Sequence, residues 1–175
     1  MKTGTGKLSS IVPEDASTWE KRLFVTFDLD WCCDEVLAEA IALAESAGLE
    51  STWFVTHSTP LLERLANDSR GELGIHPNFN PSLSGRPGAS PQDPRDAIGE
   101  LMRQVPQARA VRCHSLMQST PLLDLLREAG LTHESNTYVP LGAGMRLNPW
   151  RHHNGLVRVP LLWEDDLWLL EGRRA

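Results

Sequence analysis

The chain has 175 residues, 17 basic and 23 acidic, for a net charge of −6. That length suits one domain with a sizeable core. No basic run marks a nucleic-acid surface, no apolar run could span a bilayer, and residues 1 to 20 hold no signal-peptide core, so a cytoplasmic protein with no nucleic-acid partner is expected.

Residues 1 to about 20 are rich in Ser, Thr and Gly and read as a mobile or loosely packed lead-in to a single domain over 21–175. Leu23 to Phe27 is apolar except for Thr26, which reads as a buried strand of a parallel sheet, and it runs into Asp28-Leu29-Asp30. Asp34 to Ala47 is a helix with acidic residues at its start and Gly48 as its stop. Val36, Leu37, Ala40, Ile41 and Leu43 form its inward face. Ser51 to Thr56 is a second strand, Pro60 to Asn67 a short helix, and Glu72 to His76 a third strand. Residues 77 to 94 form a long loop dense in Pro, Gly, Ser and Asn. Pro94 opens a helix to about Val105, and Arg109 to His114 is a fourth strand. Thr120 to Gly130 is a helix with a Thr cap and a terminal Gly, and Leu131 to Asn136 and Leu156 to Pro160 complete the strands. Strands alternating with helices argue a parallel α/β sheet or barrel.

The three cysteines, Cys32, Cys33 and Cys113, include no Cys-x-x-Cys, so neither a disulfide framework nor a zinc ribbon is expected; they read as buried thiols near strand ends. All three lysines, Lys2, Lys7 and Lys21, precede Asp28, so no lysine of the folded body can serve catalysis unless the N-terminal segment supplies it.

Polar residues sit where the strands end: Asp28 and Asp30, His76, Arg112 and His114, with Glu164-Asp165-Asp166 further on. In parallel α/β folds these ends converge. Carboxylates with imidazoles make a usual ligand set for a divalent transition metal with an open position, where a water is acidified towards neutrality. The rival, less favoured reading of Asp28-x-Asp30 is a cap on the following helix that binds nothing.

Thr26-Phe27-Asp28-Leu29-Asp30 resembles the first motif of the NodB-homology polysaccharide deacetylases, carbohydrate esterase family 4. Ser51 to Thr56 resembles that family's second strand. Glu72 to Asn80 sits where the family places two histidines four residues apart, and Arg112-Cys113-His114-Ser115 where an arginine joins the site. Val159 to Asp166 resembles the fourth motif. The likeness covers Phe24 to Asp166 and is nearest to deacetylases found with surface-polysaccharide (O-antigen) biosynthesis. It implies a distorted (β/α) barrel of mainly parallel strands and the hydrolytic removal of an acetyl group from an N- or O-acetylated sugar or polysaccharide precursor. A saccharide is then the partner, and a divalent metal the cofactor: Zn²⁺ first, with Co²⁺ or Ni²⁺ as alternatives.

The resemblance makes Asp28 the general base, with Arg112 pairing with it and orienting it. Asp30 and His76 become metal ligands. Asn80 stands where the family has its second histidine, so the third ligand is either Asn80 or His114. Trp31, Asn78, Tyr138, Trp163 and Asp165 fall to the substrate side. The family's last motif, a strand ending in a histidine that protonates the leaving amine, has no counterpart before Ala175. The expectation is a fold incomplete at its C-terminus, or His133, His152 or His153 as a substitute, or lost acid catalysis. Two other readings stand beside this one. A degenerate homologue would bind carbohydrate without catalysis. A haloacid-dehalogenase-like phosphatase would use Asp28 as nucleophile and Asp30 as acid/base. Trp31-Cys32-Cys33 in place of a small turn, and the lack of a later lysine, weigh against the phosphatase.

Overall fold

A computed structural model describes residues 4–83 and 93–170. Strand β1 (Gly4–Thr5) pairs in parallel with β2 (Arg22–Leu23) as a small separate sheet. The chain continues through β3 (Val25–Asp28), α1 (Asp34–Ser46), β4 (Ser51–Val55), α2 (Leu61–Asn67) and β5 (Gly71–Ile75). Then come α3 (Asn80–Leu83), α4 (Pro94–Gln104), β6 (Ala110–Val111), α5 (Thr120–Glu128) and β7 (His133–Glu134). Strands β8 (Trp150–Arg151) and β9 (Val157–Arg158) and helix α6 (Asp165–Leu170) complete it.

The main sheet has seven strands in the order β3-β4-β5-β6-β7-β9-β8, all parallel except β8, which runs antiparallel to β9. This is the expected α/β architecture of mainly parallel strands. Among the described residues the ladder does not close into a barrel: β3 and β8 are its two edges. The expected long loop after His76 is helical over α3, and its residues 84–92 lie outside the described residues, as do 1–3 and 171–175.

The alternation along β4 divides the interior. Trp53 and Val55 face the helices and pack with Leu37, Ile41, Leu65, Ile98, Leu101 and Leu126. Phe54 faces the other way and packs with Ala110, Val157 and Val159 against Leu8 and Ile11. The N-terminal segment is therefore not the loose lead-in that its composition suggested. Leu8 and Ile11 are buried at 1% and 2% exposure, the Leu8 amide donates to Thr52 Oγ1 at 3.0 Å, and the Ile11 carbonyl accepts from His133 Nε2 at 2.8 Å. The segment seals the inner face of the sheet at the end away from the strand tips. Gly74 lets that face close up, because a Cβ there would stand 2.7 Å from the Ala110 carbonyl and 2.8 Å from the Phe54 ring.

Two further expectations are corrected. Leu23 belongs to β2 and is 54% exposed, and β3 is half-buried, since as an edge strand it roofs an open cavity instead of lying between two layers. Helix α1 buries Leu37, Ile41 and Ala44, while Val36 and Leu43 are exposed; the small Ala44 continues the i, i+4, i+7 stripe. Of the cysteines, Cys113 is buried, Cys32 half-buried and Cys33 exposed at the start of α1. No helix among the described residues is long and apolar enough to cross a membrane.

Candidate active site

Strand β3 delivers Asp28 as its last residue. Leu29 is anchored in the core with its amide on the Phe54 carbonyl at 3.1 Å, and the chain then turns sharply. Asp30 (φ 40°) and Trp31 (φ 56°) both lie in the left-handed region. Aspartate tolerates that conformation; tryptophan there costs on the order of 1–2 kcal/mol. A bond from the Trp31 amide to Thr56 Oγ1 at 3.1 Å holds the turn and swings the Asp30 carboxylate over the strand ends. Neither Asp28 nor Asp30 caps α1, whose capping position is Cys33.

His76 follows β5, with its amide on the Val55 carbonyl at 2.7 Å and its ring 3% exposed. His114 follows β6, its amide on the Pro77 carbonyl at 3.0 Å. The register Ile75↔Val111 places these two strand ends side by side. His76 Nε2 lies 3.3 Å from His114 Nδ1 and 3.3 Å from Asp30 Oδ1, and His114 Nδ1 lies 3.1 Å from Asp30 Oδ1. The hydrogen bond from His76, with its charge and that of His114, holds the Asp30 carboxyl below its ordinary value, against some desolvation.

The donor chemistry of this triangle fits a metal site. Three electron-pair donors face one another, and the imidazole protons available cannot bridge all three contacts at once. A divalent ion satisfies all three together. Ligand bonds of roughly 2.0–2.1 Å in tetrahedral array put donors about 3.3 Å apart, close to the edges seen here. Two imidazoles with one carboxylate suit zinc and its neighbours. Asp30, His76 and His114 are also the group of such residues that the described structure brings together for a cation.

Beside the triangle, Arg112 Nη1 donates to Asp28 Oδ1 at 3.0 Å and to Thr26 Oγ1 at 2.9 Å. Its Nε donates to the Ser135 carbonyl at 3.2 Å, its Nη2 to Ser135 Oγ at 3.1 Å, and its guanidinium lies 4.8 Å above the Phe54 ring. Arg112 is thus clamped on every side and 5% exposed. Asp28 Oδ1 is also 3.9 Å from His76 Nδ1, a buried nitrogen with no hydrogen bond.

All of these groups line one cavity of about 1040 Å³ that opens beside the edge of β3. Trp163 and Glu164 line it from the segment leading into α6, and Asp165 and Asp166 from the first turn of that helix. Burial pushes the Glu164 carboxyl up, with Asp28, Asp165 and Asp166 adding to the shift and Arg112 opposing it.

The structure therefore unites Asp28, Asp30, His76, Arg112, His114, Trp163 and Asp165. Trp31 stands at the rim, half exposed, its ring edge-on to His114 at 5.2 Å. Asn80 does not join the triangle: its Nδ2 donates to Ser115 Oγ at 3.1 Å. Asn78 is not in the cavity lining and accepts the Asn80 amide through Oδ1 at 2.9 Å. Tyr138, also outside the lining, forms an isolated parallel bridge with Leu161. The three histidines considered as proton donors lie elsewhere. His133 bonds the Ile11 carbonyl on the inner face, His152 bonds Glu134 at 2.9 Å, and His153 lies 3.3 Å from Asp124.

Sequence reasoning missed Ser135 and Thr26, and it named Glu164 only as part of the Glu164-Asp165-Asp166 cluster. Thr26 was visible as the polar exception in an apolar strand, and Ser135 as the residue just past β7, the kind of position that had flagged His76. Glu164 had no signal to set it apart from Asp165 and Asp166.

The comparisons with known proteins agree with this geometry. A family model described as WbmS-like polysaccharide deacetylase matches residues 25–175. A solved structure from Bordetella bronchiseptica, described provisionally as a polysaccharide deacetylase involved in O-antigen biosynthesis, is 42% identical. It superposes with a TM-score of 0.93 over 98% of this chain and 70% of that one. A 4-α-glucanotransferase from Thermococcus litoralis is 20% identical over 86% of this chain and 29% of that one, with a TM-score of 0.44, too slight to argue from. No curated protein matches the sequence. With four motifs in order on the strand ends, a family match over most of the chain and a relative at 42% identity, the chain belongs to the WbmS-like polysaccharide deacetylases.

Proposed function

We propose that the chain is a metal-dependent deacetylase that hydrolyses the acetyl group of an N- or O-acetylated sugar in a surface-polysaccharide precursor. The observation that carries this reading is the triangle of Asp30 Oδ1, His76 Nε2 and His114 Nδ1, with edges of 3.1–3.3 Å, beside the Arg112-paired Asp28. The O-antigen role described for the Bordetella bronchiseptica relative supports the choice of substrate class.

Asp30, His76 and His114 would hold the ion, with His114 and not Asn80 as third ligand. A divalent transition metal held there, zinc foremost, would supply Lewis acidity to an acetyl carbonyl and to a water near neutral pH. Asp28 is the general base. Arg112 occupies its Oδ1 and fixes its plane, leaving Oδ2 to take the proton of the attacking water. Glu164 lines the same cavity, its carboxyl pushed up chiefly by burial, and is our candidate to return a proton to the departing group. Trp163 and Trp31, both half exposed beside the site, offer aromatic faces to a sugar ring. Asp165 offers acceptors to its hydroxyls.

The test is metal content and acetate release from N-acetylglucosamine oligomers and acetyl esters, for wild type and Asp30→Ala. The wild type should carry about one ion per chain and release acetate. The variant should lose both. Full metal occupancy in Asp30→Ala would remove Asp30 from the ligand set. A wild type that releases no acetate from either probe would overturn the reading.

A further inference from the structure

His114, like Asp30, is carried by a distorted stretch of backbone. Ser115 (φ 60°) and Leu116 (φ 52°) follow it in the left-handed region, which neither side chain prefers. Such a loop reverts to an ordinary conformation unless something outside it over-determines its path. Two pins do so. On one side of the distortion, the Cys113 amide donates to Asn136 Oδ1 at 2.6 Å. On the other, Gln118 Nε2 donates to the Asn136 carbonyl at 3.1 Å while Gln118 Oε1 accepts from Arg158 Nη2.

Both pins lead to the same anchor. The Asn136 amide donates to Glu134 Oε2 at 2.9 Å, and Arg158 Nε donates to Glu134 Oε1. Glu134 is fully buried, and Arg158 is 9% exposed with its guanidinium 5.6 Å above the Trp150 ring. His152 Nε2 completes the ring of partners on Glu134 Oε1. Gln118, Glu134, Asn136 and Arg158 do not line the cavity. A buried charged pair is costly unless it is well bonded, and in stability terms it can often be replaced by apolar residues without loss. Here the bonds of the pair run outward through Asn136 and Gln118 to the loop that carries His114.

We propose that Glu134 and Arg158, acting through Asn136 and Gln118, are positioning residues that bend the His114–Gln118 loop and aim His114 Nδ1 at Asp30 and His76. The inference rests on the reading of that triangle as a metal site. It assigns control of the third ligand to strands β7 and β9, two and three places along the sheet from the strand that precedes His76.

Gln118 is the point at which to cut the brace, because it is exposed and its loss opens no cavity. In Gln118→Ala the Co²⁺ dissociation constant should rise about 10- to 100-fold, the size of effect typical when the support of a ligand is removed. The visible absorption of the Co²⁺-loaded protein should change, and the thermal midpoint of the metal-free protein should stay within a few degrees of wild type. Gln118→Glu keeps the acceptor for Arg158 but loses the donor to the Asn136 carbonyl, and should recover only part of the affinity. Unchanged Co²⁺ affinity and spectrum in Gln118→Ala would overturn the proposal. If the wild type binds no Co²⁺, the metal reading fails by itself. The brace is then read in the metal-free protein from the ¹⁵N resonances of the His114 ring, which move in Gln118→Ala if the loop is held this way and stay put if it is not.

Discussion

Arg112 Nη1 donates to Asp28 Oδ1 at 3.0 Å across 84 residues of sequence, and the same guanidinium holds Thr26 and Ser135. It therefore ties β3 to the end of β7 over the mouth of the sheet. Arg112→Ala leaves these acceptors facing a void and should cost about 3 kcal/mol of stability, the lower end for a broken buried pair, because Asp28 keeps some contact with water. Deacetylation should fall by on the order of 10²-fold or more as Asp28 loses its orientation. Urea unfolding and acetate release read the two effects separately. A variant of wild-type stability would contradict the clamp.

His114 and Asn80 compete for the third ligand position, and the geometry favours His114. His114→Ala should weaken Co²⁺ or Zn²⁺ binding by more than about 100-fold. Asn80→Ala breaks only the bond to Ser115 Oγ and should weaken binding less than about 10-fold. Isothermal titration of the two variants decides. The reverse ranking would return Asn80 to the ligand set.

The inner-face plug makes a stability prediction with a pH signature. Ile11→Ala should destabilise by about 2–4 kcal/mol, since the vacated volume lies between Phe54 and the β9 side chains. His133 donates through Nε2 to the Ile11 carbonyl, and burial, its largest influence, lowers its pKa from 6.5. The unfolded chain therefore takes up a proton that the folded one resists. Stability falls as pH drops below 6.5 towards the lowered value. His133→Gln should flatten that slope in urea midpoints measured between about pH 7.5 and 5. An equal slope in both proteins would assign the acid sensitivity elsewhere.

Glu164 titrates in the opposite sense. Its folded pKa is raised from 4.5, chiefly by burial, so the folded protein holds this proton more tightly than the unfolded chain and loses stability as pH climbs through the raised value. Glu164→Gln should match wild type near pH 4 and exceed it at pH 7, by less than about 1 kcal/mol because solvent screens the group. As the proton donor, Glu164 matters for a poor leaving group only. Glu164→Gln should lose about 10²-fold on an acetamide and little on a 4-nitrophenyl acetate. Equal losses on both substrates would remove it from that role.

The alternation of strands and helices was legible because each apolar run stops at a polar residue and each helix carries its own start and stop. That same feature exposed Asp28, His76 and Arg112. Which of Asn80 and His114 comes to lie beside Asp30 and His76 was not legible. It depends on the register of β5 against β6, which brings together residues 38 apart, and periodicity carries no register. Leu8 and Ile11 were hidden for another reason: two apolar residues in a polar stretch look like a tail until a sheet face is there to receive them. An edge strand that roofs a cavity and a strand buried on both sides share one composition, so β3 was read as the latter.

The plug at the inner face also bears on how the molecule is made. Ile11 meets His133 across 122 residues, and Glu14 meets Arg151 across 137. During synthesis these residues emerge well before the surfaces that receive them. Until β7 and β9 arrive, Phe54 and Ala110 stay uncovered. Contacts this distant in sequence slow folding and prolong the exposure of apolar surface. Such spans make the N-terminal segment one of the last parts of the fold to be fixed in place.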